Sequence, residues 1–293
     1  MDQDSLIIAV FCRIDDMLSA VGKVRRAGPM PTLTDAEVLT MEVVGEYLGF
    51  DTDKRLFGFF RDHYPHFFPA LRRLHRTTIV RQAANLWRVK ERMWRSVLEL
   101  IVHDPAFALV DSMPIPVCRF ARAYRCKLFR PDAAFGRDTL ERQTFFGFRL
   151  HVRLCWPGVI TQLALLPANV SEHEGALDLS QGTTGILVGD RNYHAPKLSG
   201  TLKDRMIRLI APYKSKAKDT RPRLSHLISR VRYRIETVFG QLVDRYHIKR
   251  SKARDLWHLA SRVMRKVLSH TIMVLLNQQE GRFPATQLAL ITP

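Results

Sequence analysis

The stretch Ala108-Leu-Val-Asp-Ser-Met-Pro-Ile-Pro-Val117 restricts more than any other how this chain can fold. Its apolar run reads as a buried strand, broken by one carboxylate, Asp111. An acid in such a place is costly unless a cation or a hydrogen-bond network compensates it. Two later segments are suited to meet it. Ile186-Leu-Val-Gly-Asp190 is a second apolar run ending on an acid, and a long helical pattern carries Glu236. Two acids on strands and one on a helix supply the oxygen donors that a hard divalent cation such as Mg²⁺ or Mn²⁺ requires. Separations of 79 residues (111 to 190) and 46 residues (190 to 236) mean that only the fold can assemble the three.

The rest of the chain gives these acids a frame. Residues 5–22 alternate at helical spacing, Gly28-Pro-Met-Pro31 breaks the chain, and Thr34 with Glu37 forms a capping box opening a helix that Gly49 ends. An aromatic stretch (Phe57 to Phe68) leads into a helical pattern over about 77–102. Residues 1–103 therefore read as an all-helical domain, either a helical cap with the aromatics as its core or a helix-turn-helix reader, the cap being favoured. From Ala106 the period changes. Strands are expected over 107–117, 145–154, 159–166, 185–189 and 207–212, although Pro114 and Pro116 should interrupt pairing at the far end of the first. A helix start at Ser171-Glu-His-Glu174, a short helix over about 195–203, a long one over 224–246 and a last one over 256–276 complete an α/β domain over 104–293. In the long helix Leu224, Ile228, Val231, Ile235, Val238 and Leu242 mark one stripe, with Glu236 beside it and Arg232 one turn away. Asp104, Glu172, Glu174, Asp178 and Asp244 lack the setting of an apolar run ending on an acid, and read as caps or surface groups.

Charge narrows the function. A net charge of +18 suits a polyanion, either nucleic acid or an anionic membrane surface. Eighteen Lys or Arg against four acids fall between Arg191 and Arg254, and the segment from Cys118 to Arg153 is basic too. A membrane surface would call for a basic amphipathic helix with exposed aromatics, and the helical patterns here pair their apolar faces with a core. No stretch is apolar for the roughly 18–20 residues of a membrane span, and the start of the sequence lacks the basic region of a signal peptide. A cytoplasmic protein is expected. The four cysteines, Cys12, Cys118, Cys126 and Cys155, have neither zinc-site spacing nor the look of a disulfide framework.

Four blocks, Val110-Asp-Ser-Met-Pro114, Phe146-Gly-Phe-Arg-Leu-His151, Gly189-Asp-Arg-Asn-Tyr193 and Ile235-Glu-Thr-Val-Phe-Gly-Gln-Leu242, followed by Lys252-Ala-Arg254, make nearly the whole chain resemble DDE transposases of bacterial insertion sequences, in particular the insertion-sequence 982 family. The resemblance implies an RNase H-like mixed five-stranded sheet flanked by helices, preceded by the all-helical N-terminal domain, which would bind DNA ends or dimerise. It implies an enzyme that binds terminal inverted repeats, cuts DNA at the ends and joins the 3′ hydroxyl to target DNA. Asp111, Asp190 and Glu236 would hold two Mg²⁺ or Mn²⁺ ions. Arg232 matches a basic residue that related transposases use near the transposon end; the tyrosine and lysine of that wider signature are replaced by Ser229 and Val243. Phosphate contacts are expected from Arg119, Arg122, Lys127, Arg149, Arg191, Arg232, Lys249, Arg250, Lys252 and Arg254. The partners would be double-stranded DNA and at least one more copy of the chain, in the bacterial cytoplasm at the nucleoid. A nuclease of the same fold that does not join strands, and a non-catalytic DNA-binding derivative, are the alternatives.

Overall fold

The computed structural model describes residues 1–22, 30–138, 141–213, 222–250 and 252–282. Gly28 and Pro29 of the expected break, and Lys214–Arg221 of the basic run, lie outside them. The chain divides into two compact units. One holds the described residues of Met1–Ile101 and Leu242–Pro293, the other Val102–Gln241.

In the first unit, α1 (Gln3–Val21) starts where the Asp2 carboxylate accepts the Ser5 N–H at 2.7 Å, and it buries Leu6, Val10, Ile14 and Met17 along one side. The expected box of Thr34 and Glu37 opens α2 (Asp35–Tyr47). The aromatic stretch forms α3 (Asp53–His63), whose Phe60 packs edge-on to Phe68 with both rings buried. The helix expected over 77–102 is two, α4 (Arg76–Asn85) and α5 (Trp87–Leu100), divided at Leu86. The buried positions Ile79, Ala83, Leu86, Val89, Met93 and Val97 keep three- and four-residue steps across it. Apolar spacing alone runs through such a break.

The last helix, α9 (Leu256–Gln279), is buried on every side from Val263 to Asn277 and packs against α5, α2 and α4. A helix with this pattern must be surrounded. So the end of the chain, grouped with the strands in the sequence reading, completes the helical unit. Two cations lie in its buried part. Arg265 bonds to Glu46 and, at 2.9 Å, to Asp53; Lys266 meets Glu46 at 2.5 Å, and Lys90 of α5 meets Glu42 at 2.5 Å. Burial opposes the Arg265 charge, but the carboxylates of Glu46, Asp53 and Glu42 together overcome it and raise its pKa.

The second unit is a mixed sheet with helices: β1 (Asp104–Pro116), β2 (Ala134–Asp138), β3 (Gln143–Trp156), β4 (Val159–Pro167), β5 (Gly185–Val188) and β6 (Ile207–Ile210), in the order β2-β3-β1-β5-β6 with β4 also on β3. β1, β3 and β4 pair antiparallel, and β5 and β6 add to β1 in parallel. With the helical region before it, this is the RNase H-like arrangement. β2 is a sixth strand, and the sequence hides it: Ala-Phe-Gly-Arg-Asp carries two charges and a glycine. Gly136 is needed because a Cβ there would stand 2.5 Å from the Ala168 carbonyl oxygen.

The two prolines do not interrupt pairing with β3, which runs to Pro116 opposite Gly147. The Val117 N–H donates to the Phe146 carbonyl, so odd-numbered positions aim their N–H groups at β3. Pro114 and Pro116 fall on the other side of β1, where pairing with β5 stops at Leu109. Three helices belong with the sheet, α6 (Glu172–Asp178), α7 (Pro196–Asp204) and α8 (Pro222–Asp244). Ala108, Val110, Leu187 and Ile207 from the strands pack with Ala176 of α6, Leu198 and Leu202 of α7, and Tyr193. Among the described residues no helix is long and apolar enough to cross a membrane.

Candidate active site

Register brings the two strand acids together. Leu109 of β1 lies opposite Val188 of the parallel strand β5. Asp111 and Asp190 are each two residues further on, at the same end of neighbouring strands that run about 4.8 Å apart. Asp190 follows β5 and caps a short 3₁₀ turn, Arg191–Tyr193, its carboxylate accepting the Asn192 N–H at 2.8 Å. Gly189 makes room for a ring. A Cβ there would stand 2.7 Å from Tyr193.

Asp111 sits low in the site, its carboxylate 18% exposed. Burial pushes its pKa up to about 6; the guanidinium of Arg232 and the Ser112 N–H oppose the rise, while Asp190 and Glu172 add to it. The Ser112 N–H donates to Asp111 Oδ1 at 2.8 Å, and Arg232 of α8 donates to Asp111 Oδ2 at 3.0 Å. Glu236, one helical turn from Arg232, has its Oε1 3.9 Å from that guanidinium and is 56% exposed. Arg232 therefore stands between Asp111 and Glu236 as an internal counter-ion.

Glu172, which in the sequence reads as a cap or surface group, lies at the site as well. It opens α6 and accepts from Ser112 Oγ and from Arg149, each at 3.1 Å. Arg149, expected to touch phosphate, has an 11% exposed side chain tied to Glu172, Ser112 and the Arg137 carbonyl oxygen. The phenol of Tyr193 completes the floor. Its oxygen is buried without a hydrogen-bond partner among the described residues. Burial first, then the charges of Asp111, Glu172 and Asp190, hold its pKa well above the ordinary tyrosine value. Nothing in the local sequence separates Glu172 from an ordinary first-turn acid, whereas Tyr193, three residues after Asp190, was within the block that carries the family likeness.

The other basic positions fall in two groups. Arg119, Arg122, Lys127 and Arg191 are exposed in the sheet unit. Lys249, Arg250, Lys252 and Arg254 belong to the helical unit, where Lys252 bonds to Asp51 at 3.2 Å. All four cysteines are free thiols.

Among the described residues no group of three or more His, Cys, Asp or Glu is close enough to hold a metal ion. The donor chemistry nevertheless fits a hard cation. Asp111 feels the charges of Asp190 and Glu172, and a single guanidinium leaves burial of its carboxylate under-compensated. A family model described as a transposase DDE domain matches residues 103–256, just over half of the chain, a span that contains all three expected acids. Comparison with curated proteins gives no match, and neither does comparison with solved structures.

Proposed function

The chain belongs to the transposase DDE-domain family, so that its business is DNA cleavage and strand transfer, and from that premise we propose a transposase of the insertion-sequence 982 type. It binds the terminal inverted repeats of its element, cuts DNA at the ends and joins the freed 3′ hydroxyl to target DNA. The observation that carries this reading is the register of β1 and β5, which sets Asp111 beside Asp190 at one sheet end, with Arg232 of α8 bonded to Asp111.

Asp111, Asp190 and Glu236 are the residues that would hold two Mg²⁺ or Mn²⁺ ions. Such ions, when bound, activate the attacking oxygen and stabilise the leaving one in an in-line displacement at phosphorus. The protein's own share is placement. Ser112 fixes one oxygen of Asp111, and the 3₁₀ turn fixes Asp190. Arg232 neutralises the buried carboxylate until it is released towards a phosphate of the DNA end. Exposed Arg119, Arg122, Lys127 and Arg191 contact phosphates near the site, and Lys249, Arg250, Lys252 and Arg254 of the helical unit contact phosphates as well. Arg149, bonded to Glu172, shapes the floor under Asp111 and acts on DNA through it. The helical unit serves end binding or dimerisation, the sheet unit of residues 102–241 carries the chemistry, and two copies at least bridge two ends. The protein works at the bacterial nucleoid.

Labelled DNA carrying the flanking inverted repeats, incubated with Mg²⁺ or Mn²⁺, tests this with the parent protein beside Asp190→Ala. Nicked ends and joined products that vanish in the variant are expected. Cutting without joining would make the protein a nuclease, and equal products from the variant would remove Asp190 from the chemistry.

A further inference from the structure

The link that leaves the active-site strand carries a feature that phosphate binding does not use. After β1 the chain makes a 3₁₀ turn, Phe120–Arg125, before reaching β2. Tyr124 on this turn is 75% exposed, and Phe120 and Phe135 are 46% and 41% exposed. The three rings form a ladder. Phe120 meets Tyr124 edge-on at 6.2 Å, Tyr124 leans over Phe135 at 5.3 Å, and Phe135 rests on the buried Phe146 at 5.1 Å. Large apolar rings held in solvent from a strand edge are a contact surface and not a core. Exposed Arg119, Arg122 and Arg125 interleave with them in sequence.

We propose that this aromatic ladder is a binding site for unpaired DNA bases, stacking the single-stranded segment that flanks the cleaved end. The inference rests on the DNA reading above and adds to it a second kind of contact. In a duplex each base face is covered by its neighbours, so flat exposed rings gain nothing there beyond sugar and phosphate. An unpaired strand offers base faces to the rings and phosphates to the arginines, the pairing of aromatic platform and cationic groove that single-strand binders use. A second copy of the chain is the poorer occupant, because a two-fold contact would set the same arginines against one another. The place is right as well. From Asp111 to the end of β1 at Pro116 is five residues, about 17 Å of strand, the reach of a short single-stranded tail leaving the site.

Fluorescence anisotropy with the full chain decides it, using a labelled oligothymidylate single strand and a labelled duplex, for the parent, Tyr124→Ala and Tyr124→Trp. Tyr124→Ala is expected to lose about five- to hundredfold in single-strand affinity, with duplex affinity unchanged within about twofold and an unchanged salt slope. Tyr124→Trp should bind the single strand at least as tightly as the parent. Equal loss on both DNAs, or no loss, would overturn the stacking site. So would a parent that binds duplex but no single strand, which would leave the DNA reading standing. A parent that binds neither DNA would bring both down. Dissociation of a dimer by Tyr124→Ala in sedimentation would give the ladder to a second copy instead.

Discussion

Asp111 shows how a residue can serve chemistry at the expense of stability. Its pKa in the fold, about 6, lies above the ordinary aspartate value of 3.8 because burial disfavours its charge. The unfolded chain ionises it more readily, so its contribution to stability falls as pH rises from about 4 to 6 and stays unfavourable above. Asp111→Asn is therefore expected to abolish cleavage and to stabilise the protein at pH 7 by about 1–3 kcal/mol, read as a higher melting temperature. His151 runs the other way. Both ring nitrogens are buried without partners among the described residues, and burial, helped by Arg149, lowers its pKa to about 4; burial does the same to His270. Folding holds these imidazoles neutral while the unfolded chain takes up protons below about 6.5. Stability is therefore lost as pH falls from 6.5 to 4, by roughly 3 kcal/mol for a shift of this size. Urea midpoints at pH 7 and pH 4.5 should show the loss, and His151→Leu should flatten it. The apolar run around Asp111 was plain in the sequence. Glu172 was not, since an acid in the first turn of a helix is what the helix dipole favours anywhere, and only tertiary structure brings Ser112 and Arg149 to it.

Elements whose signals are local were legible. The boxes at Thr34 and Ser171 open helices where expected, and the expected strands all form. What the chain did not announce depends on neighbours. α4 and α5 share one apolar rhythm straight across the break at Leu86, and β2 is a strand because β3 offers it an edge. The tolerance of Pro114 and Pro116 depends on β5 ending its pairing early. The turn after β5 is a tight fit of Gly189 against Tyr193. Gly189→Ala is expected to cost about 1–3 kcal/mol by overpacking and, because the displaced ring lies beside Asp190, to slow cleavage; a chevron and a single-turnover assay would show both. Glu172→Gln should leave the Arg149 guanidinium without its counter-charge, lowering stability by about 1–3 kcal/mol with duplex affinity little changed. A large loss of duplex binding would instead place Glu172 or Arg149 at the DNA.

At the scale of the molecule, charge is organised twice. Among the described residues few charges are buried, and with a net charge of +18 DNA affinity should fall steeply with salt, the slope counting the phosphates contacted. Inside the helical unit the charges are matched instead. Glu42, Glu46 and Asp53 face Lys90, Arg262, Arg265 and Lys266, nearly all out of reach of water. Arg265→Ala would strand buried carboxylates and is expected to cost about 3–5 kcal/mol, enough to be seen directly by calorimetry. None of this pairing could be read from the sequence, because the acids and most of their partners lie more than 150 residues apart.

That separation has a consequence in time. α5 ends at Leu100 and α9 begins at Leu256, so on the ribosome the first five helices emerge well before the helix that fills their centre. At a synthesis rate of about 5–20 residues per second the interval is roughly 8–30 s. Throughout it Glu42 and Glu46 have no Arg265 or Lys266 to meet, while the sheet unit between them can already form. The nascent chain thus carries a working-side unit that matures first and a helical unit that waits for the last helix, and a ribosome paused before Leu256 would hold the one folded and the other open to chaperones and proteases.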